Sequence, residues 1–325
     1  MSNSNKLLIL DGNSVLHRAY YALPDWRNRS GEATAGVYGF LSILLKSIED
    51  LRPTHLAIVF DHPSPTFRNL MYVGYQANRE KDRQISEDIW SMIEKLKQVF
   101  QLLSIPVFQI EGFEADDVIG TICQKLKNSL PADATHQALQ AGKTQKSKAI
   151  VITGDRDLMQ LVNENVNLYM SFKGISDMTV VDSEKVKERL GILPSQVIDY
   201  KALVGDGSDN YPGVPGIGPV GAIKLIQEFG SFEKIYESLS ITPQPPLNLR
   251  GGLIEKLVNG YESAELSKRL ATIKCDVPFT FTIASCLVPS ASKITEVLLE
   301  LGYKSLIRRV AVKSSDEDSS RPRLF

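Results

Sequence analysis

The chain has 325 residues, of which 43% are hydrophobic and 23% are charged, and its formal net charge at pH 7 is −1. This composition is ordinary for a soluble globular protein, and the length allows one or two domains. No apolar run approaches the length of a membrane span, and the N-terminus lacks the pattern of a secretory signal peptide. The three cysteines show no metal-binding or redox spacing. We therefore expect a cytoplasmic protein with reduced cysteines and no membrane attachment.

Strands alternate with helices in the first part of the chain. Buried strands are predicted at 6–10, 55–60, 105–110 and 149–154. Apolar residues at helical spacing predict helices at 35–51, at about 86–103 and from about 114. Two later segments, 166–172 and 178–181, are predicted as edge strands or a hairpin. This alternation predicts an α/β fold whose central sheet is mostly parallel and is flanked by helices.

The character of the sequence changes after about residue 183. Helical patterns dominate from Ser183 to about Leu239 and return at 262–272 and 292–302. We therefore predict an α/β domain over 1–182 and a helical domain over 183–312. The polar segment 131–147 is predicted to be a surface insertion, and the tail 313–325 to be disordered.

Nine acidic residues stand where predicted elements begin or end. They form five groups along the chain: Asp11; Asp61; Glu114, Asp116 and Asp117; Asp155 and Asp157; Asp206 and Asp209. Three groups directly follow buried strands, and the carboxyl ends of parallel strands lie along one edge of a sheet. Each acid alone is well explained as a helix cap or a turn residue. Together they are better explained by a shared site for two Mg²⁺ or Mn²⁺ ions, because divalent cations offset the repulsion between neighbouring carboxylates.

A second motif, GVPGIGPVGAIKLIQEFGS, occupies residues 213–231. Its Gly216-Ile217-Gly218 core is predicted to form a tight hairpin between two short helices, where backbone amides can face a phosphate. This helix–hairpin–helix, at 213–229, is typical of proteins that hold the backbone of duplex DNA without reading its sequence.

The motifs resemble those of the 5′-nuclease domain of bacterial DNA polymerase I and its stand-alone relatives, the 5′–3′ exonucleases and flap endonucleases. In chain order they are LDGNSVLHRAYYA, AIVFDHPSPTFRNLMYVGYQANR, EGFEADDVIGTI, VITGDRDLMQLV and YKALVGDGSDNYPGVPGIGPVGAIKLI. The resemblance covers roughly residues 6–290. It implies a PIN-like 5′-nuclease core, a helical arch at about 67–103 around a 5′ single strand, and a helical DNA-binding subdomain. No polymerase segment is present, so we expect a stand-alone nuclease.

The resemblance also implies a role for each matched position. A first metal cluster would comprise Asp11, Asp61, Glu114, Asp116 and Asp117, and a second Asp155, Asp157, Asp206 and Asp209. DNA contacts are implied for Arg18, Phe67, Arg68, Tyr75, Gln76, Arg79, Lys201, Gly216, Gly218 and Lys224. The hairpin would bind K⁺ through backbone carbonyls. Two positions depart from the family pattern, because Gln76 and Val220 stand where lysine is usual; these changes should slow turnover and weaken a phosphate contact.

Taken together, the sequence predicts a divalent-metal-dependent nuclease that removes 5′ flaps or primers from branched DNA in replication and repair. It would act as a monomer associated with the bacterial nucleoid. For Phe67 and Tyr75, core packing is the alternative to base stacking. Two other functions stay open: a weakly active or non-catalytic protein that binds DNA junctions, which Gln76 and Val220 favour, and a metal-dependent ribonuclease. Residues 321–325 resemble a sliding-clamp-binding peptide, with a disordered end as the alternative.

Overall fold

The computed structural model describes residues 5–27, 31–78, 83–128, 148–171, 178–241 and 252–311. Three features predicted from the sequence lie outside these ranges. They are Arg79, the predicted insertion at 131–147 and the tail at 313–325 with its clamp-like end.

A six-stranded sheet has the strand order β3-β2-β1-β4-β5-β6. Its strands are β1 (Lys6–Asp11), β2 (His55–Val59), β3 (Val107–Phe108), β4 (Lys148–Ile152), β5 (Val166–Ser171) and β6 (Met178–Val181). All neighbouring pairs are parallel except β5 and β6, which are antiparallel. The prediction of a mostly parallel sheet is confirmed. The two segments predicted as edge strands or a hairpin form the antiparallel pair β5 and β6, with β6 at the edge of the sheet.

Helices connect and follow the strands. Those of the α/β part are α1 (Gly12–Ala22), α2 (Ala35–Leu51), α3 (Phe67–Met71), α4 (Arg83–Leu102), α5 (Ala115–Asn128) and α6 (Ser183–Leu190). Those of the helical part are α7 (Val197–Val204), α8 (Pro219–Phe229), α9 (Phe232–Ile241), α10 (Gly252–Asn259), α11 (Tyr261–Ala271), α12 (Ala291–Glu300) and α13 (Lys304–Ala311). Within the described residues, no helix combines the length and apolar character needed to cross a membrane.

Successive side chains of β1 alternate between two cores, one on each face of the sheet. Leu7 and Ile9 pack in a core with α5 and the helical part, whereas Leu8 and Leu10 pack in a core with α2 and α4. Both faces of a parallel sheet are covered in this way, which explains why its strands read as continuous apolar runs. Polar groups are therefore concentrated in the loops that follow the carboxyl ends of the strands.

The helical part shares a core with the sheet. Ala202 of α7, Ile226 of α8 and Ala264 of α11 belong to the same buried cluster as Leu7 and Ile9. The division into domains at residue 183 stays a prediction, since this core is continuous across it. Its continuity fixes the loops of the helical part relative to the strand ends.

The segment before the hairpin differs from the prediction. α7 ends well before the hairpin, at Gly205, and turns and loops occupy the residues between α7 and α8. Gly205 has a φ of 75°, a left-handed conformation that ends the helix, and Pro212 and Pro215 lack the backbone N–H that a continuing helix needs. The two short helices predicted on either side of the hairpin are therefore α7 and α8, but no helix directly precedes the hairpin. The loop in its place carries the last pair of predicted acidic residues.

Candidate active site

Two aspartates lie at the carboxyl ends of β1 and β2. Asp11 is 4% exposed, accepts the backbone N–H of Ser14 at 3.1 Å and thereby caps α1, and accepts the hydroxyl of Thr153 at 2.7 Å. Asp61 accepts the backbone N–H of Ala115 at 2.7 Å. Asp61 thus connects the end of β2 to the first turn of α5, and both carboxylates are held at one edge of the sheet.

The beginning of α5 adds Glu114 and Asp116 to this group. Glu114 accepts a hydrogen bond from the hydroxyl of Tyr75 at 3.1 Å. Burial raises the pKa of Asp116 well above its usual value, and the charges of Asp155 and Asp11 raise it further. These charges act on one another because their carboxylates lie at the same edge of the sheet.

Asp117 does not belong to this group. It is fully buried, and it accepts both Nη atoms of Arg68, at 2.7 and 2.9 Å, and the backbone N–H of Lys274 at 2.8 Å. Arg68 is 2% exposed and also donates to the carbonyl oxygens of Leu270 and Thr272. The expectations of a metal ligand at Asp117 and a DNA contact at Arg68 are therefore corrected. Successive helical residues point about 100° apart, so Asp117 turns to the interior while its predecessor faces the site.

Asp157, Asp206 and Asp209 form a second group, beyond the end of β4 and in the loop after α7. One carboxylate oxygen of each lies within 4.8 Å of the others. Lys201, expected to contact DNA, instead places its ammonium 2.5 Å from Asp157 and against Asp206. Burial raises the pKa of Asp157 to about 7. Burial acts in the same direction on Asp206, but Lys201 and Ser208 outweigh it and lower the pKa of Asp206 to about 2.

Asp155 lies between the two groups. Its side chain accepts the backbone N–H of Asp157 at 2.8 Å, and its charge raises the pKa of Asp116 in the first group. The charges of Asp209 and Asp206 act on Asp155 in turn. Asp155, predicted to belong to the second cluster, therefore lies next to both groups.

The carboxylates of the first group hold protons unusually strongly. Burial raises the pKa of Asp11 to about 7 and that of Glu114 to about 7, and the charge of Asp61 contributes to both shifts. Ionised carboxylates so close together repel one another, and a divalent cation would remove that repulsion.

Residues of both groups line one groove of about 1110 Å³, whereas Asp206 of the second group is not part of its lining. Its acidic lining consists of Asp11, Asp61, Glu114, Asp116, Asp155, Asp157 and Asp209. The helix α4 contributes Ile89, Trp90 and Ile93 to the same groove. The structure therefore combines an acidic floor with an apolar and aromatic helix from the predicted arch.

Tyr75 and Gln76 also line the groove. Tyr75 is only 5% exposed and packs against Tyr211 and Leu270, so its ring is not available for base stacking and the core-packing alternative holds. Gln76 donates its side-chain amide to Asp209 at 3.1 Å and its backbone N–H to the carbonyl oxygen of Asp209 at 2.8 Å. The Gln76 side chain thus faces the second carboxylate group.

Arg18 and Phe67, which were expected to contact the single strand, are not part of the groove lining. The Arg18 guanidinium lies 3.9 Å from the sulfur of Met178 at the start of β6. The Phe67 ring packs against Phe113, with 6.1 Å between centroids, and the Lys274 ammonium lies 4.3 Å from the Phe67 centroid. The core-packing alternative therefore describes Phe67.

The hairpin presents an open surface. Gly216 has a φ of 81°, and Gly218 has nothing within 4 Å of where a Cβ would stand. Lys224 is exposed on α8, and Val220 is 69% exposed. The ammonium of Lys256, from α10, lies 3.3 Å from the carbonyl oxygen of Gly216. Lys256 thus places a positive charge at the hairpin where Val220 offers none.

Three residues at these surfaces were not predicted from the sequence: Lys256 and two polar residues that support the acids. Thr153 donates to Asp11 and accepts the backbone N–H of Asp155 at 2.9 Å. Asn13 accepts the backbone N–H of Asp61 at 2.8 Å. Thr153 and Asn13 lie inside the quoted motifs, so their position beside the acids was an available signal. Lys256 lies outside those motifs, and only packing of α10 against the hairpin reveals it.

The chain matches two family models. One is described as 5′-3′ exonuclease, N-terminal resolvase-like domain, and matches residues 6–191; the other is 5′-3′ exonuclease, C-terminal SAM fold, and matches residues 192–293. A 5′-3′ exonuclease of Bacillus subtilis is 37% identical over 289 residues, which are 88% of each chain. DNA polymerase I of Caldicellulosiruptor bescii is 36% identical over 313 residues, which are 94% of this chain and 34% of the polymerase. This chain thus spans about a third of the length of that relative.

Solved structures show the same fold at lower identity. A T5 D15 flap endonuclease complex with DNA and metal ions superposes with a TM-score of 0.63 at 18% identity, covering 94% of this chain and 97% of that one. The catalytic core of Rad2 in complex with DNA substrate has a TM-score of 0.52 at 17% identity, covering 95% and 91%. At these identities the likeness is one of fold. The two family models and the Bacillus subtilis relative show that this chain belongs to the 5′-3′ exonuclease family.

Proposed function

We propose that the protein is a divalent-metal-dependent nuclease that hydrolyses phosphodiester bonds at the 5′ end or 5′ flap of branched DNA. The observation that carries the proposal is the pair of adjoining carboxylate groups in one groove. Membership of the 5′-3′ exonuclease family supports it. The T5 flap endonuclease of the same fold, solved with DNA and metal ions, lends further support.

The groove residues suit hard divalent cations. Their donor atoms are carboxylate oxygens, and the three oxygens of the second group are close enough to share one ion. One ion would be held by Asp11, Asp61, Glu114 and Asp116 and another by Asp157, Asp206 and Asp209, with Asp155 between them. Such ions supply a water-derived nucleophile at neutral pH and offset the charge that develops on the phosphate.

The chain's own residues orient this site. The buried pair of Arg68 and Asp117 fixes the beginning of α5, from which Glu114 and Asp116 reach the groove. Gln76 faces the same space and can donate a hydrogen bond to a phosphate oxygen. A neutral amide stabilises developing negative charge less than an ammonium does, so we expect slow but real turnover.

DNA would contact two surfaces. The 5′ single strand would follow the groove beside α4, where the half-buried Trp90 offers an aromatic face. The duplex would rest on the hairpin, where Gly216 and Gly218 are exposed and Lys224 and Lys256 supply positive charge. The hairpin carbonyls would also offer a site for K⁺. Contacts of this kind follow the backbone and the shape of the nucleic acid, so a 5′ strand of RNA, as in a primer, would also be accepted.

Cleavage of a 5′-labelled flap DNA tests the proposal. We expect Mg²⁺-dependent cleavage near the junction, abolished by EDTA and by Asp155→Asn, because Asp155 stands between both carboxylate groups. Glu188→Gln is the matched control, since Glu188 is an exposed acid paired with Lys185 and should leave cleavage unchanged. Cleavage by Asp155→Asn at the wild-type rate would contradict the proposal. Tight flap binding without cleavage in Mg²⁺ or Mn²⁺ would support the junction-binding alternative.

A further inference from the structure

The hydroxyl of Tyr211 is buried and makes no hydrogen bond to any residue that the structure describes. Tyr211 is 3% exposed and lies two residues after Asp209 of the second carboxylate group. A buried hydroxyl without a partner destabilises a protein, so such a group points to a partner that binds in the functional state.

The fold holds the Tyr211 ring in this position. The backbone of Tyr211 exchanges two hydrogen bonds with Asp206, at 2.9 and 3.0 Å, which closes the loop that carries the second group. A Cβ on Gly205 would lie 2.5 Å from the carbonyl oxygen of Tyr211, so the two backbone segments are in close contact. The ring itself packs with Tyr75 and Leu270. It therefore cannot turn its hydroxyl to solvent without opening this loop.

The hydroxyl lies in the field of the second carboxylate group. The carboxylates of Asp157, Asp206 and Asp209 are close enough for their charges to act on it. Tyr75 shows the ordinary arrangement beside the first group, because its hydroxyl donates directly to Glu114. Tyr211 has the same chemistry and the same kind of surroundings but lacks the direct bond.

Within the second group, the Lys201 ammonium contacts the carboxylates of Asp157 and Asp206, and the Tyr211 hydroxyl makes no bond to any acid of the group. A Mg²⁺ ion bound by a few carboxylates keeps several of its waters, and those waters need hydrogen-bond partners in the protein. Groups that hold such waters and ligands in place tune the affinity of a metal site. A buried, immobile hydroxyl next to the second group fits that role.

We propose that Tyr211 is a positioning residue of the second carboxylate group, whose hydroxyl hydrogen-bonds to hydration water of the divalent cation held by Asp157, Asp206 and Asp209. The inference rests on the proposed metal-dependent function. The Tyr211 hydroxyl would increase the affinity for the cation, and the Tyr211 ring would contribute only to packing.

The test compares Tyr211→Phe with the full-length wild type. The substitution removes only the hydroxyl, so the ring packing is kept. Tyr236→Phe is the matched control, because Tyr236 is half-buried in α9, where its ring packs against Phe232 and Tyr261. We expect the Mg²⁺ concentration for half-maximal cleavage, and that for half-maximal thermal stabilisation without DNA, to rise about tenfold in Tyr211→Phe alone.

A second measurement separates this role from a purely structural one. In EDTA, Tyr211→Phe should melt at the same temperature as the wild type or higher, because an unsatisfied hydroxyl is removed; in saturating Mg²⁺ it should gain less. Unchanged Mg²⁺ requirements in Tyr211→Phe would overturn the inference, as would a lower melting temperature in EDTA with an unchanged gain from Mg²⁺. A wild type that neither binds nor uses Mg²⁺ would instead overturn the proposed function itself.

Discussion

Arg68→Met is expected to lower the stability of the protein strongly. It should not remove a direct contact with DNA. Arg68 is 2% exposed, and its guanidinium donates to both carboxylate oxygens of Asp117 and to the carbonyl oxygens of Leu270 and Thr272. Methionine preserves much of the apolar stem but removes every one of these donors. Asp117 would then be a fully buried carboxylate without its cation.

Removing one partner of a buried ion pair typically destabilises a protein by about 3–5 kcal/mol. Asp117 keeps the backbone N–H groups of Glu114 and Lys274, at 3.2 and 2.8 Å, which moderate the loss. We therefore expect Arg68→Met to lower the free energy of unfolding by about 3 kcal/mol. Asp117→Asn should have a smaller effect, because Arg68 also lies 3.1 Å from Glu114 and keeps its two carbonyl acceptors.

Urea unfolding in EDTA, followed by circular dichroism, measures these differences. Lys185→Met is the control, since Lys185 forms an exposed ion pair with Glu188 and should change stability by less than about 1 kcal/mol. Flap affinity is measured by fluorescence anisotropy under conditions in which each variant is folded. A stable Arg68→Met protein with weakened flap binding would refute the buried-pair reasoning and restore Arg68 as a DNA contact.

Three further outcomes are expected. Gln76→Lys should raise the rate of flap cleavage in Mg²⁺ by about tenfold. The gain should be smaller than that from adding a donor where there is none, because glutamine already donates a hydrogen bond. An unchanged rate would contradict this prediction. Lys256→Gln should reduce the slope of the logarithm of flap affinity against the logarithm of salt concentration by about 0.9, because one phosphate contact is lost. An unchanged slope would exclude that contact. In EDTA, the free energy of unfolding should fall from about pH 5 to about pH 8, because the pKa values of Asp11, Glu114 and Asp157 are about 7 in the fold, above their ordinary values. Mg²⁺ should reverse that trend, and a stability that rises with pH in EDTA would contradict it.

The sequence alone determined the sheet and the general position of the acids. The strands at 6–10, 55–60 and 149–154 were recognisable because a strand covered on both faces must be apolar at successive positions. An acid directly after such a strand is placed by chain connectivity, so Asp11, Asp61 and Asp155 could be assigned to one edge. The order of the motifs was then enough to indicate the family.

Only the tertiary structure decided which charged residues face the groove. Arg68 meets Leu270 and Asp117 across separations of 202 and 49 residues, so nothing local to its motif reveals that it is buried. Lys201 neutralises Asp157 instead of facing solvent, and Lys256 reaches the hairpin from a different helix. Local patterns predict secondary structure and the ends of elements. The partner of a long, charged side chain depends on how distant elements pack. The same packing decides whether the charged group contacts another side chain or stays available for a ligand.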